Sequence, residues 1–291
     1  MKRLYIIGNG FDVHHQIKSK YSDFKNYVEE QDNDLYELLE KYFNTDELWS
    51  DFEETLAYID TDTITDDASN FLVSYGADDW SDAYHHDYQY EIEQALDLVT
   101  VKLRTHFTNW ILQLDIPNSH QANIDVNSIF LNFNYTNTLE QVYEIPQDRI
   151  IYIHNKAVDK DSILILGHSR GFEENDSFSK EDDEDTDPRV AQGNDLLDDY
   201  FKQTYKDTDT IIHENSSFFN NLGEIEEVYI LGHSMSQVDI KYFQIIKSKV
   251  AENAQWTMSY YSENEKNKKE IIASGLGIKS SNFILKTISE L

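Results

Sequence analysis

The chain has 291 residues and a formal net charge of −31 at pH 7, from 24 lysines and arginines against 55 aspartates and glutamates. This length allows one large domain or two small ones, with enough residues to bury a core. The chain contains no cysteine, which excludes disulfides, thiolate metal sites and cysteine nucleophiles. So large an acidic excess repels a phosphate backbone over most of the surface, and it disfavours a groove for long nucleic acid.

The first residues argue against a targeting segment. Met1, Lys2 and Arg3 lead directly into an apolar run of strand length, which is too short for the core of a signal peptide or for a membrane span. No later stretch is long and apolar enough for a membrane span. We therefore expect a soluble cytoplasmic protein with no membrane partner.

The most informative stretch is an apolar run that ends at a turn with two glycines. Residues 4–7 are apolar almost without interruption, as in a central strand covered on both faces. Gly8 and Gly10 lack a Cβ, so the backbone can approach a phosphate or ribose and offer its N–H groups to an anion. A full dinucleotide fingerprint has a third glycine where this chain has Val13. The turn therefore predicts either a nucleotide site or a plain strand-to-helix turn.

The segment from about 18 to 114 has helical periodicity, because apolar and aromatic residues recur at steps of three and four. Phe24, Tyr27 and Val28 show this spacing. Residues 83–114 contain neither proline nor glycine, and their apolar pattern predicts one long helix.

Short apolar segments after this region indicate strands that alternate with helices. The predicted strands are 128–132, 150–153, 163–166, 228–231 and 256–260, and the predicted helices are about 189–205, 211–221, 238–252 and 263–274. Strands separated by helices form a parallel sheet. The sequence thus predicts an α/β fold, a Rossmann-like parallel sheet with a large helical insertion between its first and second strands.

These elements divide the chain into two predicted domains. Residues 1–17 and 118–291 are expected to form an α/β nucleotide-binding domain, and residues 18–117 a helical insertion that caps the strand ends. The acidic stretch 173–187 has almost no apolar content and predicts a solvated loop, with a metal-binding tract as the alternative.

Polar residues gather where the predicted strands end. They are the segment 132–140, His154 with Asn155, Gly167-His168-Ser169, and Gly232-His233-Ser234 with Asp239. In a parallel sheet these ends lie at one edge, which is where open α/β sheets bind their ligands. The sequence therefore predicts a single crevice formed by these groups and the glycine turn.

The polar segment after the second strand also has a structural interpretation. Asn134, Thr136 and Thr138 are typical caps for a helix that starts near Leu139, because short polar side chains accept hydrogen bonds from the first helical amides. Capping and ligand binding both remain open for these residues.

The other groups have structural alternatives as well. A lone histidine such as His154 at a strand end is usually a hydrogen-bonded structural residue, and Gly167 and Gly232 fit tight turns. Trp49 and Glu53 lie one helical turn apart, which by spacing alone indicates a packed ring and a surface carboxylate.

Several short motifs occur in a fixed order along the chain. They are Ile-Ile-Gly-Asn-Gly-Phe-Asp (6–12), Tyr-Ser-Asp-Phe (21–24), Trp-Ser-Asp-Phe-Glu (49–53), Phe-Asn-Tyr-Thr (133–136) with Leu139 and Glu140, His154, and Ile-Leu-Gly-His-Ser (230–234) with Asp239. In this order, from residue 6 to about residue 245, they resemble the bacteriophage abortive-infection family AbiH. The resemblance implies a role in bacterial defence against phage.

A more distant resemblance supplies a chemistry. The order of glycine turn, Asn-Tyr motif, strand-end histidine and Gly-X-Ser turn is similar to that of sirtuin-like NAD-consuming domains. The resemblance implies that Gly8-Asn9-Gly10 approaches the NAD diphosphate and that Gly232-His233-Ser234 holds ribose and phosphate. It also implies that Asn134 lies near the nicotinamide ribose and that His154 is the catalytic histidine.

The chain departs from that pattern at three points. Asn155 stands where a glycine after the histidine is expected, Thr136 stands where an aspartate is common, and there are no zinc-binding cysteines. The loss of zinc argues against protein deacylation. It does not argue against NAD cleavage, since sirtuin-like defence domains also resemble this zinc-free pattern.

The resulting hypothesis is hydrolysis of the N-glycosidic bond of NAD or a related nucleotide, with no metal. Cleavage passes through an oxocarbenium-like state, so the protein must orient the ribose and place water on its far face. Asn134 would position the ribose or the water, His154 would act as general base, and Glu53 would stabilise positive charge in the ribose. The predicted nucleotide-binding residues are Gly8, Asn9, Gly10, Phe11, Asp12, Tyr135, Thr136, Gly232, His233, Ser234 and Asp239.

A metal-dependent hydrolase or nuclease is the first alternative. Its ligands would be His154, His168 and His233 together with Asp12 or Asp239, since histidine and carboxylate suit zinc or manganese. The sequence has no closely spaced ligand pair, and its acidic surface disfavours a polynucleotide substrate.

A non-catalytic sensor is the second alternative. Such a protein would bind a nucleotide or a phage protein, and Trp80, Tyr84, Tyr88 and Tyr90 would form its partner face, although the same aromatic residues fit a core. A phage-derived trigger protein and a second copy of the chain are partners that the sequence leaves open.

Overall fold

In the computed structural model the described residues are 2–43, 45, 48–78 and 80–291, and for Ala83 and Glu181 only the backbone is described. The predicted helical segment 18–114 includes positions 44, 46, 47 and 79, which lie outside the described residues, as does position 1. The α-helices are α1 (Asn9–His14), α2 (Tyr21–Gln31), α3 (Asn33–Tyr42), α4 (Phe52–Thr55), α5 (Thr61–Ser69), α6 (Asp87–Asp97), α7 (Leu103–Leu112), α8 (Thr138–Tyr143), α9 (Pro188–Thr204), α10 (Thr208–Glu214), α11 (Ser216–Asn220), α12 (Ile240–Lys249) and α13 (Glu263–Gly275).

Six parallel strands form one sheet. They are β1 (Lys2–Ile7), β2 (Ile129–Asn132), β3 (Ile150–Tyr152), β4 (Ile225–Leu231), β5 (Gln255–Ser259) and β6 (Phe283–Lys286). Their order across the sheet is β3-β2-β1-β4-β5-β6, which is the order of doubly wound dinucleotide-binding folds. The predicted α/β fold with a Rossmann-like parallel sheet is therefore confirmed. The strand order reverses between β1 and β4, and ligands of such sheets bind at the carboxyl ends of the strands on either side of that reversal.

The central position of β1 follows from its sequence, because its last four residues are buried and apolar side chains face both sides of the sheet. Alternate residues of a strand point to opposite faces. One core includes Leu4, Ile6, Val228 and Ile230, and the other includes Tyr5, Ile7, Phe130 and Leu231. Each large apolar side chain buried in this way contributes about 1.5–3 kcal/mol, so β1 is a main source of stability for the sheet.

Contacts between residues divide the chain into two compact units. The first unit comprises Met1–Asp23, Thr108–Ile165 and Asp207–Leu291 and includes the whole sheet, and the second comprises Phe24–Phe107 and Leu166–Lys206. Residues 166–206, which the sequence analysis assigned to the α/β domain, thus group with helical residues. Within the second unit the Arg104 guanidinium donates to the carbonyl of Leu166 (3.2 Å) and to that of Gln203 (3.1 Å), which ties both ends of this segment to α7.

The predicted strand at 163–166 is wrong. Ile163 is 83% exposed, and the backbone of Ile165 is used elsewhere, since its amide donates to the carbonyl of His154 and its carbonyl accepts from the Tyr135 hydroxyl. The neighbouring His168 makes only an isolated parallel bridge with Tyr205.

The helices differ from the prediction mainly at their ends and interruptions. The long predicted helix is continuous from α6 to α7, but residues 98–102 between them form a π-helical turn. Within this turn Thr100 lies between two valines, and its hydroxyl donates a hydrogen bond to the Leu96 carbonyl. The helix predicted over 211–221 is divided at Asn215 into α10 and α11.

Within the described part of the chain, no helix combines the length and the apolarity needed to cross a membrane. The edge strand β6 was not predicted, because it is short and only half-buried.

Gly193 allows close packing of α9 on α6 in the second unit. A Cβ on Gly193 would lie 2.7 Å from Tyr88 Cε1 and 2.8 Å from Ile92 Cδ1. Gly193→Leu therefore overpacks this contact, which lowers the stability of the fold by about 1–3 kcal/mol. The better helix propensity of leucine offsets at most about 1 kcal/mol of this loss. We expect the free energy of unfolding to fall by about 1–2 kcal/mol in urea titrations. Gly171→Leu is the control, because a Cβ there has no neighbour within 4 Å; an equal loss in both variants would contradict the packing role of Gly193.

Candidate functional site

The candidate site lies where the turns that follow β1 and β4 cross. The Gly8 amide donates to the Leu231 carbonyl (3.0 Å), and the Gly10 amide donates to the Gly232 carbonyl (2.7 Å). Gly232 has a φ of +66°, and a Cβ on it would lie 2.0 Å from the Phe11 nitrogen. A side chain at this position would therefore force the two turns apart.

These bonds bear on the predicted anion cradle. The amides of Gly8 and Gly10 already donate to carbonyls of the β4 side, and the Phe11 amide donates to the Gly8 carbonyl (2.9 Å). The Asn9 side chain donates to the Ser19 carbonyl (2.8 Å) and accepts from the Ser19 hydroxyl (2.6 Å). These hydrogen bonds hold the two turns close together, as expected for a plain strand-to-helix turn. Contact of the glycine turn with a phosphate stays a prediction.

Asp12 is buried next to the crossing turns. The Thr136 hydroxyl donates to Asp12 Oδ2 (2.6 Å) and lies 3.1 Å from the Thr138 hydroxyl. Burial raises the pKa of Asp12 to about 6, and the hydrogen bonds from Thr136, Thr138 and Asn134 oppose that rise. Asn134 itself donates from Nδ2 to the Gly8 carbonyl (3.2 Å). The polar segment after β2 therefore forms one network with the glycine turn.

The capping interpretation of this segment is wrong. The helix that follows is α8, and its N-cap residue is Asn137, whose side chain makes no capping hydrogen bond. The side chains of Asn134 and Thr136 are directed instead to Gly8 and Asp12.

Two histidines share one carboxylate at this edge of the sheet. His154 Nε2 lies 3.7 Å from Asp239 Oδ1, and His233 Nε2 lies 3.5 Å from Asp239 Oδ2. The Met235 amide donates to His233 Nδ1 (2.9 Å), so that nitrogen carries a lone pair and the proton of the neutral ring is on Nε2, facing Asp239. The arrangement fixes the tautomer of His233 and places the Asp239 carboxyl group beside both imidazole rings.

Aromatic rings surround His154 on several sides. The centroid of its ring lies 5.2 Å from that of Phe133, 5.7 Å from that of Tyr242 and 6.3 Å from that of Tyr135. The next residue, Asn155, has a φ of +66°, a conformation that glycine adopts freely and asparagine tolerates. The backbone thus explains why asparagine can stand where the sirtuin-like pattern has glycine.

A buried lysine that the sequence analysis missed supports the turn after β4. Lys269 Nζ donates to the carbonyls of His233 (2.9 Å) and Ser259, and it pairs with Glu265 Oε1 (3.2 Å). The Ser259 hydroxyl in turn accepts from the Gly232 amide (2.7 Å). Burial lowers the pKa of Lys269, and the charge of Glu265 opposes this. In the sequence Lys269 is one of several lysines on a polar helix, and nothing distinguishes it from the exposed ones.

Three other predicted nucleotide-binding residues differ in their surroundings. Phe11 is fully buried in the core of the first unit, with its ring centroid 4.4 Å from that of His15, while Ser234 is exposed. Tyr135 donates its hydroxyl to the Ile165 carbonyl (2.7 Å). Contact of these three residues with a nucleotide stays a prediction.

Glu53 belongs to the second unit, where it is not a surface carboxylate. It forms an ion pair with Lys206, whose side chain is almost completely buried. Trp49 behaves as the packing interpretation predicts, since its ring stacks on Phe52 with centroids 5.7 Å apart. A role of Glu53 in stabilising a ribose cation stays a prediction.

The residues of the metal hypothesis are divided between the units. His154, His233 and Asp239 meet in the first unit, whereas His168 is in the second, where its Nε2 lies 3.1 Å from the Thr204 hydroxyl and burial lowers its pKa to about 4. Among the described residues, no group of three or more histidine, aspartate or glutamate side chains has the geometry to hold a metal ion.

The aromatic residues of the sensor hypothesis are a mixed set. Tyr88 is buried, Trp80 and Tyr84 are half-buried, and Tyr90 is 53% exposed. Tyr88 is therefore part of the core of the second unit, and only Tyr90 has most of its surface available to a partner.

Comparison with known proteins gave one family. A family model described as "Bacteriophage abortive infection AbiH" matches residues 4–260. No curated protein and no solved structure gave a significant match.

The raised pKa of Asp12 predicts a pH-dependent loss of stability. Because its pKa rises from 3.8 to about 6 on folding, the folded protein holds the proton more tightly. The stabilisation is full below pH 3.8 and is lost as the pH rises through about 6. Asp12→Asn cannot titrate, so between pH 5 and 8 the wild type should lose about 1.4 kcal/mol of unfolding free energy relative to the variant. Urea titrations at both pH values measure this, and an equal difference at pH 5 and 8 would contradict it.

Proposed function

The chain belongs to the AbiH family of bacteriophage abortive infection proteins, and we propose that it acts in this defence by cleaving the N-glycosidic bond of NAD or a related nucleotide. Family membership implies the defence role. The proposed chemistry is supported by the histidine pair on Asp239, at the edge where sheets of this strand order bind ligands.

The proposal assigns each step of glycoside hydrolysis to a residue of the site. In the proposed reaction the bond between ribose C1′ and the nicotinamide nitrogen breaks, and nicotinamide leaves with the electron pair. The oxygen of a water molecule bonds to C1′, and His154 accepts the proton that this water loses. Asp239, 3.7 Å from His154, stabilises the imidazolium that forms. Asn134, held against the Gly8 carbonyl, positions the ribose or the water.

His233 has a supporting role in this proposal. Its Nδ1 accepts from the Met235 amide and its Nε2 faces Asp239, so both ring nitrogens have partners within the protein. In this proposal His233 orients Asp239, and His154, the histidine that follows β3, is the base. The proposal does not depend on Glu53, because Lys206 already pairs with that carboxylate.

Burial of the site supports latent activity. Asn134, His154 and His233 are each no more than 6% exposed, so a dinucleotide reaches them only after neighbouring residues move. We expect a low rate in the resting protein and a higher rate once a phage-derived trigger shifts the population towards an open state.

The first test is nicotinamide release from NAD by the purified protein, with and without phage lysate. His154→Ala should lower the rate by about 10²–10⁴-fold, which is the usual contribution of a general base. His213→Ala is the matched control, because His213 is an exposed histidine of the same unit. No release by the wild type under either condition, or equal losses in the two variants, would contradict the proposed reaction.

A second test concerns the charge of Asp239. Asp239→Asn keeps the shape of the side chain but removes the anion that stabilises imidazolium, so the apparent pKa of the base in the pH profile of kcat/KM should decrease. We also expect kcat/KM to fall by about tenfold or more. The control is Asp209→Asn, at an exposed aspartate of the same unit that pairs with Lys241. An unchanged profile for Asp239→Asn would show that Asp239 does not act through His154.

A further inference from the structure

The second unit contains a cavity of about 330 Å³ that the proposed function does not use. Residues that line it include Tyr58, Arg170, Phe172, Asp176, Phe178 and Phe201. Small-molecule sites in proteins have volumes of about 300–1,000 Å³. This cavity is therefore at the small end of the range, large enough for one ring system with a sugar and too small for a dinucleotide.

Three phenylalanine rings give the cavity an aromatic wall. The Phe201 ring is nearly parallel to that of Phe172, at an interplanar angle of 11° and a centroid distance of 6.0 Å, and to that of Phe178, at 18° and 6.0 Å. Because the three rings are nearly parallel, a flat ligand that lies parallel to one of them lies parallel to all three. Stacking on aromatic side chains is the common way in which proteins hold bases.

The charged part of the lining is one oppositely charged pair. Arg170 Nη2 lies 3.5 Å from Asp176 Oδ1, and both side chains are partly exposed, at 51% and 35%. Arginine has five N–H donors and each carboxylate oxygen has two lone pairs, so the pair keeps donors and acceptors for a ligand. Because its charges cancel, it favours a neutral ligand that carries donors and acceptors side by side.

We propose that this cavity binds a purine base, as the free base or the nucleoside. A purine is flat enough to stack on the phenylalanines, is neutral, and has neighbouring N–H donors and ring or carbonyl acceptors that match Asp176 and Arg170. A phosphate adds charge that the neutral Arg170–Asp176 pair does not compensate. The proposal is independent of NAD cleavage at the sheet edge.

Gly171 allows the cavity to be blocked without disturbing its walls. Gly171 is part of the lining, and a Cβ on it would have no neighbour within 4 Å. Gly171→Leu therefore places a side chain in open space at the cavity. Gly275 also has open space around its would-be Cβ and lies in the first unit, so Gly275→Leu is the matched control.

Isothermal titration of the full chain with adenosine, guanosine and cytidine tests the proposal. We expect both purine nucleosides to bind more tightly than cytidine. Gly171→Leu and Arg170→Met should each weaken purine binding at least about tenfold, while Gly275→Leu leaves it unchanged. Saturating NAD should not displace the nucleoside. Absence of purine binding by the wild type, equal binding of cytidine, insensitivity to Gly171→Leu, or displacement by NAD would each overturn the proposal.

Discussion

The close approach of the turns after β1 and β4 is the constraint on which the rest of the candidate site depends. The two strands are neighbours at the reversal of the sheet order, and the Gly10 amide and Gly232 carbonyl join their turns directly. With the backbones this close, residues 232–235 follow a fixed path, which sets the position of the His233 ring. The same approach brings Asp12, in the first turn of α1, beneath the polar segment that follows β2.

Two buried ionisable groups lie next to these turns, and neighbouring residues supply hydrogen-bond partners to both. Asp12 accepts from Thr136, and Lys269 donates to two carbonyls and pairs with Glu265. Removing one partner of such a group leaves a buried charge without compensation, which costs several kcal/mol. The formal charge of −31 therefore says little about the site, where one acid and one base are each adjusted by local burial and bonding.

The sequence was most informative where a single physical pattern dominates. A continuous apolar run with two glycines predicted β1 and its turn, and the alternation of strands and helices predicted the parallel sheet. Because the carboxyl ends of parallel strands lie at one edge of the sheet, the sequence also predicted that His154, His233 and Asp239 meet. The prediction of a strand at 163–166 was wrong because the apolar residues there lie in a loop, in which Ile163 is exposed. Neither the buried position of Lys269 nor the pairing of Glu53 with Lys206 leaves a trace in local sequence, since both depend on contacts between distant segments.

The central position of β1 has a consequence for how the protein is made. The strand pairs with β2 on one side and β4 on the other, and roughly 220 residues separate it from β4 along the chain. At a synthesis rate of about 5–20 residues per second, β1 leaves the ribosome roughly 10–45 s before β4 exists. β2 is made during that interval and can pair with one edge of β1, while the other edge has no partner until β4 follows. Newly made chains thus depend on slow, non-local closure of the sheet, and until β4 is made one edge of β1 stays open to pairing with another chain.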